Sequence, residues 1–378
     1  MISRFFLAVF LAVLMLVVGV SSYLFLYGRQ SKVAVAPTKP TAAEPTPHAF
    51  VLPGTLYITQ SGALYSYSYG RFHQLTGEDG WMQPSLTPDG NLLIVHRSGF
   101  YSDVFEMNRY GRVLRQLTNN AAPRRSYDTG DNHWSFYPMM TADGRTVFMS
   151  YDQPKFGYEV DMGIWSMPTF GSITRGQLWS DQYAEIGYTG GDIQPIPVPG
   201  GVIFTKYDRN PDGSIIGQLW FTNRPGSFGK ALTSPGEDCR EPALSPGRNY
   251  IAMICTYGKQ IANLVIAPYG GGSIGARQAV ITDQMVAQPQ WAPDGSGIAY
   301  LAPALPDAPF QLFFISSLAY FPPAPSPVPT PSVIPGGPQG TPAPSPSPSP
   351  APTPAPVKAI QMTSSLGLDA TSTLAWAP

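Results

Sequence analysis

The chain has 378 residues, of which 12% are charged and 12% aromatic, with 38 glycines and 42 prolines. That mixture suits short strands joined by many turns and excludes a helical bundle, which would need far more Glu, Lys, Ala and Leu. With 23 basic and 24 acidic side chains there is no cationic excess to neutralise phosphates, so no nucleic-acid partner is expected.

No charged residue occurs from Phe5 to Gly28, and the apolar run from Phe5 to Leu26 is 22 residues long. A helix of that length spans the hydrocarbon of a bilayer. Residues 1–32 are therefore expected to form a transmembrane signal anchor. The rival is a cleaved secretory signal, whose apolar stretch is normally about 7–15 residues. The small-residue end Ala34-Val35-Ala36 is followed by Pro37, a poor cleavage junction. Arg4 on one flank against Arg29, Lys32 and Lys39 on the other slightly favours a cytoplasmic body. A Pro/Thr stalk, low Lys and Glu content and a cysteine pair favour export. The expectation is a single-pass protein of the cell membrane with its body on the extracytoplasmic side.

Residues 33–53 hold five prolines and no hydrophobic period, the composition of a semi-rigid stalk. Residues 321–357 are a Pro/Ser-rich, low-complexity tract that cannot bury a core and is expected to be disordered.

Between these tracts one phrase recurs. Gln83-Pro84-Ser85-Leu86-Thr87-Pro88-Asp89-Gly90 precedes LLIVHR. Comparable phrases start at Tyr137, Gln194, Glu241 and Gln288, each followed by an apolar run, and a truncated copy covers Thr373 to Pro378. The full copies start 54, 57, 47 and 47 residues apart. The last interval is 85, and removing the 37-residue tract leaves 48. Each copy reads as a strand, a Pro-Asp-Gly type turn and a β-branched partner strand. Third strands follow from Asp103, Gly163, Gln218, Asn263 and Gln311, with shorter fourth strands behind them. Four antiparallel strands per unit of this length is the signature of a propeller blade. Ahead of the first copy stand only three strands, at 56–59, 63–66 and 73–76, and the fourth is the one left at the C-terminus. The expected fold is all-β: a six-bladed β-propeller over 54–378, closed by the C-terminal strand, plus one N-terminal transmembrane helix.

Pro289-Gln290-Trp291-Ala292-Pro293-Asp294-Gly295, continuing to Ile298-Ala299-Tyr300, resembles the WD-like repeat of TolB-type propellers over roughly residues 54–378 outside the insertion. The copies at Pro199-Gly200 and Pro246-Gly247 lack the Asp, and the α/β domain that precedes the propeller in TolB is replaced by the anchor. The resemblance implies an extracytoplasmic, protein-binding propeller.

Cys239 and Cys255 are the only cysteines. With Ser245 opposite Tyr250, they fall within one position of facing each other across a hairpin. Either they form a cross-strand disulfide or they are two separate buried thiols. No His flanks them, so metal binding is not expected.

In a propeller the loops from fourth to first strand and from second to third strand share a face. Here those are the long loops, at 119–136, 151–161, 180–192 and 207–215. They carry a candidate ligand-binding set: Arg124, Arg125, Tyr127, Asp128, His133, Trp134, Tyr158, Glu159, Tyr183, Glu185, Tyr188, Asp192, Asp208 and Arg209. The plain alternative is solvated turns. Asp208-Arg209-Asn210-Pro211-Asp212-Gly213 matches the opening of a Ca²⁺ loop but lacks the Glu at its twelfth position, so it reads as a turn. His133 beside Asp131 is a candidate half of an acid/base pair, and with only four histidines (48, 73, 96, 133) no multi-His metal centre is expected. Trp165, Trp220, Trp291 and Trp376 are expected at equivalent points of the repeat, between blades. The expectation is a tethered propeller, with no cofactor and no catalysis, that binds a protein or an envelope polysaccharide. The alternative is a hydrolase or lyase using Asp128, His133, Glu159 and Asp192.

Overall fold

The structure is a computed structural model that describes Met15 and residues 51–123, 129–153, 155, 161–180, 189–227, 229–258, 261–282, 284–317 and 359–378. The expected anchor at 1–32 (Met15 apart), most of the stalk and the insertion at 321–357 lie outside the described residues. Among the described residues no helix is long and apolar enough to cross a membrane. Residues 51–378 form a compact unit of their own.

That unit contains six sheets, each with strands a to d from the axis outward. Blade 1 joins Ala375–Ala377 as strand a to Thr55–Gln60, Ala63–Ser68 and Arg71–Gln74. Thr55 faces Ala377, Leu56 faces Trp376 and Tyr57 faces Ala375, so the expected closure is present. Blade 2 is Trp81–Leu86, Leu92–Arg97, Ser102–Met107 and Val113–Gln116; blade 3 is Ser135–Met140, Thr146–Tyr151, Gly163–Pro168 and Gln177–Leu178. Blade 4 runs Asp192–Val198, Gly201–Arg209, Ile215–Thr222 and Lys230–Ala231. Blade 5 is Cys239–Leu244, Tyr250–Cys255 and Asn263–Gly270. Gln278–Ile281 pairs with its third strand as d, and Ser273–Ile274 forms a short return. Blade 6 is Ala287–Trp291, Gly297–Pro303, Phe310–Ser316 and Ile360–Gln361.

The apolar b strands explain how the ring holds together. Successive side chains of a strand point to opposite faces, and a blade inside a ring is covered on both. Leu92 and Ile94 pack towards blade 1, whereas Leu93 packs towards blade 3. Ile251 and Met253 join a cluster with blade 4, and Ala252 and Ile254 one with blade 6. Ile298 and Tyr300 face blade 5, and Ala299 and Leu301 face blade 1. Both faces being apolar, these strands read as continuous hydrophobic runs. Six clusters result, one per junction between adjacent blades.

The hydroxyl residue closing most d strands has a mechanical use. Thr76, Thr118, Thr233 and Thr363 each accept, through Oγ1, a backbone N–H of strand c at 2.9–3.0 Å, from Leu64, Val104, Leu219 and Leu312. Ser180 does the same for Ile164 at 2.9 Å. The hydroxyl continues the ladder where the outer strand ends, so a buried N–H is not left bare.

The four tryptophans depart from expectation. Trp291 and Trp376 lie in a strands, but Trp165 and Trp220 lie in c strands, so they occupy two positions of the repeat rather than one. All four pack at junctions between blades, Trp165 and Trp220 only partly buried. Strands a and c both lie beside b, and either can send an indole into a junction.

Candidate functional site

Antiparallel alternation places the b→c and d→a connections at one end of the ring, here the loop face. The a→b and c→d turns lie at the other end, the turn face. Of the candidate set, Arg124, Arg125, Tyr127, Asp128, Tyr158, Glu159, Tyr183, Glu185 and Tyr188 lie outside the described residues. His133, Trp134, Asp192, Asp208 and Arg209 are described.

The carboxylate that His133 meets is Asp152, across the loop face of blade 3, and not its neighbour Asp131 as expected: Nδ1 and Oδ1 are 2.8 Å apart. Asp152 is 1% exposed. Its other oxygen lies 3.3 Å from Lys155 Nζ, and that ammonium donates to the Asn132 carbonyl at 2.5 Å. A buried carboxylate is tolerable only with such partners. The cluster clamps the segment entering strand a to the segment leaving strand b. Sequence spacing hid Asp152, because hairpin geometry and not proximity in the chain brings it to His133.

Asp192 is fully buried and faces Lys206 across strands a and b of blade 4, with Nζ 3.6 Å from Oδ1. Lys206 Nζ also lies 5.7 Å from the centroid of the Trp220 ring. Asp161 accepts the N–H groups of Thr189 and Gly190 at 2.8 and 2.9 Å. Asp161 thus holds a loop in place, and Asp192 ties two strands together.

The segment 207–215 is not the expected loop. Strand b runs to Arg209 and strand c starts at Ile215, with Asp208 opposite Ile216 and Arg209 opposite Ile215. Tyr207, Ile215 and Ile216 favour extended backbone and lengthen the hairpin. Its tip is the turn Asn210–Ser214, with Gly213 at φ +88. There Asp212 accepts both the N–H and the hydroxyl of Ser214, at 2.9 and 2.6 Å. Arg209 Nη1 donates to the Gly213 carbonyl at 3.0 Å.

Trp134 belongs to a different arrangement. Its ring stacks on Phe136 at 5.9 Å and 12°, and the exposed Arg97 guanidinium lies 5.6 Å from its centroid. Arginine, indole and phenyl thus form a ladder on the loop face between blades 2 and 3.

A second constellation, absent from the expected set, lies on the axis. The a strands surround a cavity of about 200 Å3 whose wall includes Pro84, Pro138, Pro195, Pro242 and Pro289. The residue before each proline is a non-glycine at positive φ: Gln83 (54°), Tyr137 (52°), Gln194 (55°), Glu241 (55°) and Gln288 (50°). Each coincides with a break in the a–b register, a β-bulge. A bulge frees an N–H, and at Gln83, Tyr137 and Gln288 a side chain ahead of that blade takes it. Gln83 N–H donates to Ser372 Oγ at 2.6 Å, Tyr137 N–H to Gln83 Oε1 at 2.9 Å, and Gln288 N–H to Glu241 Oε2 at 2.6 Å. Gln194 Oε1 is buried with no hydrogen-bond partner among the described residues.

Part of the Glu241 surface faces this cavity. Burial pushes its carboxyl up to about 7, against the Gln288 N–H and the Arg240 charge, which both pull it down. Burial, then the Glu241 charge, pushes the Tyr207 hydroxyl up to about 12. Tyr137 is also raised, by burial first. The signal that could have found this site is the Xaa-Pro dipeptide at one place in five copies, with a carboxylate in only one.

Cys239 and Cys255 face each other directly and are disulfide-bonded, with Cα atoms 4.1 Å apart. The bulge between Arg240 and Ala243 supplies the one-position shift that brings them opposite.

No protein-family model matches the sequence, and no curated protein matches it either. Solved structures do resemble it. TolB from Acinetobacter baumannii superposes with a TM-score of 0.50 at 14% identity, over 70% of this chain and 61% of that one. A TolB from Agrobacterium tumefaciens gives 0.47 at 12% identity, over 71% and 86%. A puromycin-hydrolyzing peptidase from Mycobacterium tuberculosis gives 0.44 at 12%, over 70% and 45%. This chain thus spans about three fifths of the length of the A. baumannii protein. Taken with the closed ring, the likeness to the A. baumannii protein gives residues 51–378 the fold of a TolB-type six-bladed β-propeller.

Proposed function

We propose that the chain is a membrane-tethered, extracytoplasmic propeller that binds a protein or an envelope glycan through its loop face and carries out no chemistry there. One contrast on that face supports the reading. The buried carboxylates Asp152 and Asp161 are occupied in holding loops and Asp192 in pairing with Lys206, while the half-buried Trp134–Phe136 stack carries the exposed Arg97. Rigidly held arginine and aromatic side chains are what binding hot spots use. The Cys239–Cys255 disulfide supports an oxidising compartment, and the apolar run at 5–26 supports the tether.

The test is recovery of partners from solubilised membranes with the 51–378 body as bait, beside an R97A/W134A body of unchanged melting temperature. A partner retained by the native body and lost, by about tenfold or more, from the variant is expected. Identical recovery by the two bodies, or none above background, would sink the proposal.

The His133–Asp152 contact at 2.8 Å favours a second reading, a hydrolase or lyase with His133 as base and Asp152 orienting it. Turnover of a glycan or peptide that H133A abolishes and R97A/W134A leaves intact would establish it.

A further inference from the structure

The turn face differs in chemistry from the loop face, and the body begins on it: Val51 and Leu52 lead to Thr55, which pairs with Ala377 at the a→b end of blade 1. On three consecutive blades the c→d turn of this face holds an aromatic ring almost fully in water. Tyr69 is 81% exposed, Tyr110 78% and Phe170 86%. A lone exposed ring needs no explanation, but three on one face of adjacent blades form a band.

The same turns are cationic. Arg71 follows Tyr69, Arg109 and Arg112 flank Tyr110, and Arg175 follows Phe170, all four exposed. The Arg115 guanidinium lies 4.3 Å from the centroid of the Phe170 ring and joins blade 2 to blade 3. Among the described residues, Arg115 alone of these five forms an ion pair, with Glu106 at 2.6 Å. The exposed carboxylates of this face serve their own hairpins. Asp89 accepts from Thr87, Asp143 from the Thr141 hydroxyl and the Arg145 N–H, and Asp294 from the Ser296 N–H. The loop face has the opposite sign, with Asp79, Asp212, Asp307 and Asp369 on its connections.

We infer that the turn face is a docking surface for an anionic lipid bilayer. Tyr69, Tyr110 and Phe170 sit at headgroup level, and Arg71, Arg109, Arg112 and Arg175 meet the lipid phosphates. Tyr rings favour the membrane–water interface, a Phe ring enters the headgroup–acyl boundary, and arginines within a Debye length of anionic headgroups are attracted to them. Two observations select lipid as the occupant: the sign of the charge, and the apolar run at 5–26, which lies upstream of the residue where the body starts on this face. A tether that returns one face repeatedly to a surface raises its effective concentration there. For that delivery the inference rests on the tethered reading above. With the turn face down, the acidic loop face is held towards water and partners.

Vesicle binding of the 51–378 body tests the face without the anchor. That body contains every strand of the closed ring and all six junctions. It is expected to co-sediment with phosphatidylcholine vesicles containing about one third phosphatidylglycerol. Binding should be roughly tenfold weaker on phosphatidylcholine alone and similarly weakened at about 0.5 M salt. The Y69S/Y110S/F170S and R71E/R109E/R112E bodies should each lose about tenfold in partitioning with melting temperature unchanged, whereas F100S/L305S on the loop face should lose nothing. Equal binding to neutral vesicles, or anion-dependent binding that survives both turn-face variants, would overturn the inference. So would self-association of the free body that those variants abolish, since a second copy would then be the occupant. Alkaline extraction of the full chain from membranes reads the anchor separately, so the two ideas fail independently.

Discussion

The Gln288 N–H donates to Glu241 Oε2 at 2.6 Å, so a carboxylate of blade 5 completes the bulge of blade 6. A glutamine oxygen can accept the same bond without the charge. The pair therefore separates the structural part of Glu241 from its ionisation.

The folded carboxyl titrates near 7, above its ordinary 4.5. The native state thus holds the proton more tightly than the unfolded chain. The stability this contributes is complete below about pH 4.5 and is lost as pH rises through 7. Glu241→Gln should match the native protein at pH 4 and exceed it at pH 8, by at most about 3 kcal/mol. Denaturant melts of both proteins across that range provide the check. A constant difference between them would show that burial does not control this carboxyl.

The disulfide closes a loop with a sequence separation of 16. Both sulfurs sit in the junction between blades 4 and 5, with no exposure. Reduction, or a C239S/C255S double variant, should cost about 3 kcal/mol on the chain-entropy scale. Thiol labelling in denaturant should find nothing before reduction and two groups after it.

Ring closure predicts a specific weakness. Trp376 faces Leu56, fills the junction between blades 6 and 1, and donates its indole N–H to the Pro53 carbonyl at 2.6 Å. Trp376→Ala should lose about 3–5 kcal/mol, comparable with Trp291→Ala, whose indole donates to Ala243 across the junction of blades 5 and 6. Removal of 372–378 should also raise hydrogen exchange in Thr55–Gln60, which would become a bare edge. Unaltered protection of that strand would contradict the closure.

The blades were legible because b strands buried on both faces write themselves as unbroken apolar runs, and the turns between them need Pro and Gly. Closure was legible because three strands stood at one end of the sequence and one at the other. The cysteines were one position from facing each other on paper, and the unseen bulge at Glu241 made up the difference. Bulges leave no propensity signal of their own, so the axial ring of Gln83, Tyr137, Gln194, Glu241 and Gln288 is not legible in the sequence. Asp152 is hidden in the sequence because its link to His133 depends on which loops meet across a blade. The Asp208–Arg209 stretch looks like loop because Pro211-Asp212-Gly213 marks a turn, whereas the polar Asp208 and Arg209 carry no strand signal of their own.

Pro53 and Trp376 are 323 positions apart, yet they meet in one blade. On a ribosome, or emerging from a translocation channel head first, Thr55–Gln60 would exist for nearly the whole duration of synthesis before its partner arrives. During that time its ladder groups offer a template to any extended chain nearby. Contacts this distant in sequence also form late and slowly. Until the C-terminal strand arrives, the edge of the half-built first blade is open to the wrong partner.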